Sequence, residues 1–285
     1  MKKFAAGLFL ATGTLALAAC GAGGDDTSSG TSEGGESGGE PKELVVGASN
    51  VPHALILEEA KPLLEEKGIE LEIETYQDYV LPNEDLESEE IDANYFQHIP
   101  YLETQMADHG YDFVNAGGIH IEPIGIYSKK YDSLEDLPDG ATILMSNSVA
   151  DHGRILSMLE SQGLIKLDEG VDKTAAEVKD IVENPKNLEF DADYEASFLP
   201  QLYNQDEGDA LLINSNYAID AGLNPLEDAI ALEDSESPYV NVIAVRSGDE
   251  ENEEIQALVE VLRSKEIQDF IVEEWGGSVV PVDGE

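Results

Sequence analysis

Apolar positions change period along the chain, and each change marks an element. Leu44-Val45-Val46-Gly47-Ala48 is a continuous apolar run ending on small residues, which reads as a buried strand. From His53 to Lys67 the residues Leu55, Ile56, Ala60, Leu63 and Leu64 recur at helical spacing, and Gly68 is the stop. Pro62 predicts a kink or a restart inside that helix. Ile69, Leu71, Ile73 and Thr75 then alternate with Glu70, Glu72 and Glu74, giving a strand with one wet face. Strand, helix and strand over this length form a βαβ unit and require parallel pairing.

The same reading predicts helices over 82–90, 99–109 (closed by Gly110), 153–162 (closed by Gly163), 174–182, 198–205, 217–221 (with Gly222 as cap), 253–265 and 266–275. Strands are predicted within 113–127, broken at Gly117-Gly118, and over 141–145, 188–190, 210–213 and 239–245. This alternation gives the α/β class. No linker divides the middle of the chain. A second domain must therefore be an insertion reached by crossing strands, near Tyr127-Ser128 and near 233–237.

The first 42 residues follow no such pattern. Met1-Lys2-Lys3 is a short positive region, and 4–19 is an apolar stretch too short for a lasting span. Residues 1–19 read as a signal peptide ending in Leu17-Ala18-Ala19, followed by Cys20-Gly21, the arrangement of a bacterial lipoprotein signal. Cys20 is the only cysteine, so no disulfide can form within the chain, and it is the expected lipidation site. Residues 20–42 are otherwise Gly, Ser, Thr and acidic residues with almost nothing to bury, as a flexible tether requires. The expected location is the outer face of the cytoplasmic membrane, with stable anchoring by more than one acyl chain.

Composition narrows the partners. With 41% hydrophobic residues in 285, the chain can bury a large core in one large or two medium domains. Fifteen Lys and Arg face 61 Asp and Glu, a net charge of −46, which excludes most nucleic-acid binders and docking on anionic lipid by charge. Periodic apolar segments rule against a disordered acidic chain. A folded surface this acidic suits a medium that screens it, since the Debye length falls to about 3 Å at molar salt. A salt-loving or alkali-loving source is expected.

Enzymatic motifs are missing: there is no phosphate-binding Gly-rich loop, no Gly-x-Ser-x-Gly elbow and no His-Glu-x-x-His. The five histidines (His53, His98, His109, His120, His152) are dispersed. His120, His98 and a carboxylate could in principle hold a metal, but there is no His-rich loop, and neither a metal nor a cofactor is expected. Two segments are more pointed. Between Tyr76 and Tyr101, five aromatics and His98 fall within 26 residues. They form either ordinary core or an aromatic-walled pocket for an apolar or thioether side chain. Residues 146–154 read as a strand end, a polar loop and the first turn of a helix, where orphan amides favour an anion. Arg154 there is either a surface ion-pair partner or a fork for a carboxylate. Asn214 and Asn241 interrupt apolar strand runs, as turn residues or as paired donors and acceptors for a polar ligand.

Several stretches, in order, resemble one family. They are 78–83 (Asp-Tyr-Val-Leu-Pro-Asn), Phe96-Gln97-His98 with Pro100-Tyr101-Leu102, Tyr127-Ser128-Lys129-Lys130, Gly153-Arg154, 163–167, 182–188, Ile213-Asn214 with Tyr217-Ala218, and 235–241. Together they resemble the methionine-binding lipoprotein family of ABC importers over essentially all of 43–280. The resemblance implies a periplasmic-binding-protein fold of type II, with two α/β lobes (43–127 plus 238–285, and 128–237), two crossover strands and a ligand cleft. It implies that Tyr79, Phe96, His98 and Tyr101 enclose a methionine side chain, that Arg154 holds the ligand carboxylate, and that Asn214 and Asn241 bind its amino and carboxylate groups. The implied partners are L-methionine, an ABC permease with its ATPase, and the membrane through the lipid on Cys20; the protein is expected to be a monomer without enzymatic activity. The same fold would also suit D-methionine, a methionine-containing dipeptide or another small amino acid, and a surface lipoprotein without a transport role is the remote alternative. Ala150-Asp151-His152 departs from the family, in which Thr-Asn-Leu or a similar run is usual, and puts an acid and a His beside the carboxylate site.

Overall fold

The structure, a computed structural model, describes residues 41–234 and 237–282. The signal peptide, Cys20 and nearly all of the tether lie outside the described residues. The tether was expected to reach 42, but Lys42 is already the first residue of β1 (Lys42–Ser49). Its amide donates to the Gly68 carbonyl at 3.0 Å and its ammonium pairs with Glu253 and Glu254, so pairing begins where the alternation alone gave no signal.

β1, α1 (Leu55–Glu65) and β2 (Ile69–Tyr76) make the predicted βαβ unit, with every residue of β1 paired in parallel to β2. No break occurs at Pro62, which lies inside α1. Glu58, whose carbonyl loses its donor there, is exposed, and water can replace the missing bond. The chain continues through α2 (Leu81–Glu87), β3 (Ala93–His98), α3 (Ile99–His109) and β4 (Phe113–Ile121). Next come β5 (Gly125–Tyr127), β6 (Thr142–Ser146), α4 (Val149–Ser161), a small hairpin of β7 (Lys166–Leu167) and β8 (Ile181–Glu183), and β9 (Glu189–Tyr194). After these follow α5 (Leu199–Asn204), β10 (Ala210–Ile213), α6 (Ser215–Asp220), α7 (Pro225–Asp228) and β11 (Ala229–Leu232). The chain closes with β12 (Val240–Arg246), α8 (Glu253–Leu262), α9 (Lys265–Trp275) and β13 (Val280–Pro281).

The strands make two main sheets, one ordered β13-β4-β12-β3-β1-β2 and the other β11-β5-β10-β6-β9. Each is covered on both faces, as strand periodicity shows. In β12, Ile243 and Val245 join the core under α1, α8 and α9, whereas Val242 and Ala244 join Leu86, Leu102 and Phe113 on the other side. In β6, Ile143 and Met145 pack with Ile155 and Leu159 of α4, whereas Leu144 faces Leu199 and Leu202 of α5.

The chain passes from the first sheet to the second at Glu122-Pro123-Ile124 and returns between β11 and β12. The first passage was expected at Tyr127-Ser128. It comes earlier because Gly125, Ile126 and Tyr127 pair with β10 and β11, so the boundary drawn at 127 moves to about 122. The expected break at Gly117-Gly118 is likewise a bulge: β4 is continuous, and its register against β12 slips around this pair. A Cβ on Gly117 would stand 2.6 Å from Val259 of α8, so the glycine lets that helix approach the sheet. The predicted helix over 174–182 is instead two short 3₁₀ turns leading into β8. Asp172 accepts from the Thr174 amide and Asp180 from the Glu177 amide, and these local bonds compete with the helical ones. The carbonyls of Lys173 and Thr174 press on α4 at Gly153, where a Cβ would lie 2.4 Å from an oxygen.

Candidate functional site

Strand ends and helix starts of both sheets converge on one cavity. β3 delivers Phe96 and His98, and α3 starts immediately after, with His98 as its cap: Nδ1 accepts from the Tyr101 amide at 3.1 Å. Tyr79 comes from the turn before α2, Asn241 from β12, Arg154 from α4, and Asn214 from the step between β10 and α6. All seven residues singled out in the sequence (Tyr79, Phe96, His98, Tyr101, Arg154, Asn214, Asn241) line this cavity. Gln97, Glu122, Asp151, Ser215 and Asn216 complete the wall. Asp151 lay in the polar segment before Arg154; nothing in the local sequence distinguished Glu122 from other acids.

One side is aromatic. Tyr79 lies with ring centroids 5.9 Å from both Phe96 and Tyr101, and 4.9 Å from Tyr217. The wall is pinned at its polar ends: Tyr101 Oη donates to the Tyr79 carbonyl at 2.9 Å and Tyr79 Oη to Asn216 Oδ1 at 2.6 Å.

The opposite side is charged, and here the structure corrects the sequence. α4 starts at Val149, four residues before the predicted start, so Asp151 sits in its first turn and Arg154 one turn later. Side chains on a helix lean toward its N-terminus, which brings the guanidinium back onto Asp151. Arg154 Nε and Nη2 donate to Asp151 Oδ1 at 2.9 and 2.8 Å. Nη1 donates to Glu233 Oε2 at 3.3 Å and to the Glu122 carbonyl at 3.4 Å, and the group lies 4.8 Å from the Tyr239 ring centre. Arg154 is thus a buried cation already neutralised by the protein's own acid, rather than a bare fork at the helix start. Asp151 also accepts from His98 Nε2 at 3.1 Å and Asn214 Nδ2 at 3.2 Å. Burial pushes its pKa up, but Arg154, His98 and Asn214 together outweigh burial and hold it well below the usual carboxylate range. Burial raises the Tyr239 phenol to about 12.

Behind Asn241 lies a second buried group. His120 Nε2 and His53 Nε2 face Glu122 Oε1 at 2.8 and 3.2 Å, His53 Nε2 also faces Asn241 Oδ1 at 3.1 Å, and Tyr95 Oη meets His120 Nδ1 at 2.5 Å. Burial lowers His53 to about 4 and His120 to about 3, and raises Glu122. His53, His120 and Glu122 are the trio of metal-ligand types whose donor atoms lie within 4.8 Å of one another among the described residues. Their mutual hydrogen bonds satisfy those atoms except His53 Nδ1. His98, weighed with His120 as a ligand, belongs to the Asp151 group instead. Ser215, also in the wall, donates its hydroxyl to the Pro123 carbonyl.

Comparison with known proteins places the chain. The family described as NlpA lipoprotein matches residues 44–283. The methionine-binding lipoprotein MetQ of Bacillus subtilis is 50% identical over 288 residues, covering 99% of both chains. Among solved structures, a pheromone cOB1 precursor/lipoprotein of the YaeC family from Enterococcus faecalis is 57% identical with a TM-score of 0.83, covering 85% of this chain and 100% of that one. A nutrient binding protein from Burkholderia cenocepacia bound to methionine is 41% identical with a TM-score of 0.79, covering 84% of this chain and 99% of that one.

Proposed function

Because the chain belongs to the NlpA lipoprotein family, we propose that it is the solute-binding lipoprotein of an ABC importer: it captures methionine outside the cytoplasmic membrane and hands it to a permease driven by an ATPase. The observation that carries this reading is the meeting of an aromatic wall and an Arg-centred polar wall in one cavity, in a chain homologous to a protein with methionine bound. Tyr79, Phe96, His98 and Tyr101 take the thioether, since sulfur gains roughly 0.3–1.5 kcal/mol against each ring. Arg154 receives the ligand carboxylate on the one Nη2 hydrogen that Asp151, Glu233 and the Glu122 carbonyl leave free, and Asn214 and Asn241 bind the polar end. Nothing in this scheme calls for covalent chemistry.

The two sheets with their helices act as lobes hinged at 122–124 and between β11 and β12. Tyr79 with Asn216, Asn50 with Asp220 at 2.6 Å, and His98 with Asp151 are bonds between elements of the two sheets. Opening would break them, so a ligand that touches both sides shifts the equilibrium toward the closed form that docks on the permease. Among the described residues no helix is long and apolar enough to cross a membrane. The anchor is the lipid on Cys20, and Cys20→Ala should move the protein from the membrane to the soluble fraction. Calorimetric titration with L-methionine, D-methionine and a methionine dipeptide tests the ligand. Binding of L-methionine is expected and should be abolished by Arg154→Ala; equal binding by that variant would refute its role.

A further inference from the structure

We propose that His53, His120 and Glu122, with Asn241 as a fourth donor, form a binding site for one divalent transition-metal ion, zinc by preference, beside the first passage between the two sheets. The proposal stands apart from the methionine reading, because it concerns the wall behind the cavity and two rings that do not line it.

Four places in the chain bring the donors together. His53 lies in the turn after β1, His120 near the end of β4, Asn241 opposite His120 at the start of β12, and Glu122 in the passage that follows β4. Glu122 Oε1 stands 2.8 Å from His120 Nε2 and 3.2 Å from His53 Nε2, and Asn241 Oδ1 stands 3.1 Å from His53 Nε2. A tetrahedral zinc with bonds of about 2.0–2.1 Å sets its donors about 3.3 Å apart, so each of these separations is within about half an ångström of what the ion requires. Packing holds the rings there. The centroids of His53 and His120 are 5.1 Å apart, and Tyr95 sits edge-on to them at 4.7 and 5.4 Å. Donors fixed in advance lose little freedom when an ion arrives.

The donor set suits zinc, which takes imidazole nitrogen and carboxylate oxygen together. His53 and His120 are 1% and 0% exposed, and burial of this kind favours the neutral ring, the form that ligates. A His bound through Nε2 carries its proton on Nδ1 and is best held by an acceptor there. His120 has one: Tyr95 Oη lies 2.5 Å from its Nδ1, and a phenol hydroxyl can accept as well as donate. His53 Nδ1 has no partner among the described residues, so nothing on that side confines the proton to Nε2. Binding then moves each proton from Nε2 to Nδ1 and releases none. Charge favours a dication. Arg154 faces three acids, Asp151, Glu233 and Glu122, and a divalent ion cancels the two negative charges it leaves over. Glu122 and Asn241 also line the cavity, which gives the ion a way in.

The test is metal loading of the full chain after dialysis against a chelator. Elemental mass spectrometry after gel filtration should find about one zinc per chain, retained in excess magnesium. Cobalt(II) in place of zinc should give the strong visible bands of a four-coordinate ion. With 61 acids in the chain, the competing outcome is loose binding at the surface, and a histidine variant separates the two because it leaves every acid in place. His120→Phe should weaken zinc binding by about 100-fold or more, since loss of even an outer hydrogen-bond partner of a metal ligand costs about 10- to 100-fold. His53→Phe gives a second, independent reading, and a thermal melt shows that each variant is folded. A wild type that retains no zinc, or that gives cobalt the faint spectrum of a six-coordinate ion, overturns the proposal without any variant. So does a folded His120→Phe or His53→Phe protein that binds zinc as the wild type does.

Discussion

Replacing Arg154 by Met tests the electrostatics on which the site stands. Met keeps the length of the stem and removes the guanidinium from a position only 6% exposed. Asp151, 1% exposed, would keep its bonds to His98 and Asn214 but lose the cation that balances it. Stranding one member of a buried ion pair costs about 3–5 kcal/mol. For a body of this size each kcal/mol moves the melting temperature by about 2–4 °C, so a drop of about 6–20 °C is expected at pH 7. The pH dependence separates this cause from lost packing. In the wild type the Asp151 pKa is depressed, so its contribution is present above the unfolded value of about 3.9 and disappears only as pH falls through the lower folded value. In the variant the burial effect is left with less opposition and the pKa rises, so the charged form costs stability at pH 7 and protonation relieves that cost on acidification. Urea denaturation of both proteins at pH 7 and pH 5 reads the difference, and the titration of other groups cancels between them. A gap below about 1 kcal/mol at pH 7, or one unchanged at pH 5, would refute the reasoning.

Three further outcomes follow from the same structure. Gly117→Ala should destabilise by about 1–3 kcal/mol in urea, because the new Cβ meets Val259 at 2.6 Å and must push α8 off the sheet; a neutral result would mean the helix is not tightly seated. His53 and His120 have folded values of about 4 and about 3, below the unfolded 6.5. The unfolded chain therefore takes up protons first, and stability should be full above about pH 6.5 and fall by about 2–5 kcal/mol on going to pH 4.5; a flat urea profile over that range would contradict their burial as neutral rings. With a net charge of −46, the melting temperature should rise between about 0.05 M and 1 M NaCl as self-repulsion is screened, and a salt-independent midpoint would remove the expectation of a salt-adapted surface.

Elements with one-sided burial were legible along the chain. β2 alternates and α3 ends at a glycine with φ 77°, so period and stop agree with the structure. β3 escaped because it is buried on both faces while carrying Asn94, Gln97 and His98, and so shows neither alternation nor an apolar run. Its polar side chains are satisfied by partners distant in sequence, such as Asn83, which bonds both Asn94 and Gln97. β11 and β13 are short and gain their identity only from the strands they join. The start of α4 was misplaced because Val149 and Ala150 look like loop beside Ser146, Asn147 and Ser148, although they open the helix.

The sequence by itself determined the class of fold, the order of its main elements and the residue types that could meet a thioether and a carboxylate. These follow from local periodicity and from side-chain chemistry, which one strand of text carries. Only the tertiary structure decided that Arg154 is bound by Asp151 and Glu233, that Glu122 is backed by His53 and His120, and that one oxygen of Asn214 is left over. Charge state and spare hydrogen-bonding capacity depend on burial and on partners far apart in the chain, such as Arg154 with Glu233 or Glu122 with His53. In a sequence with 61 acids, no spacing rule distinguishes the two carboxylates, Glu122 and Asp151, that the fold turns into the cavity.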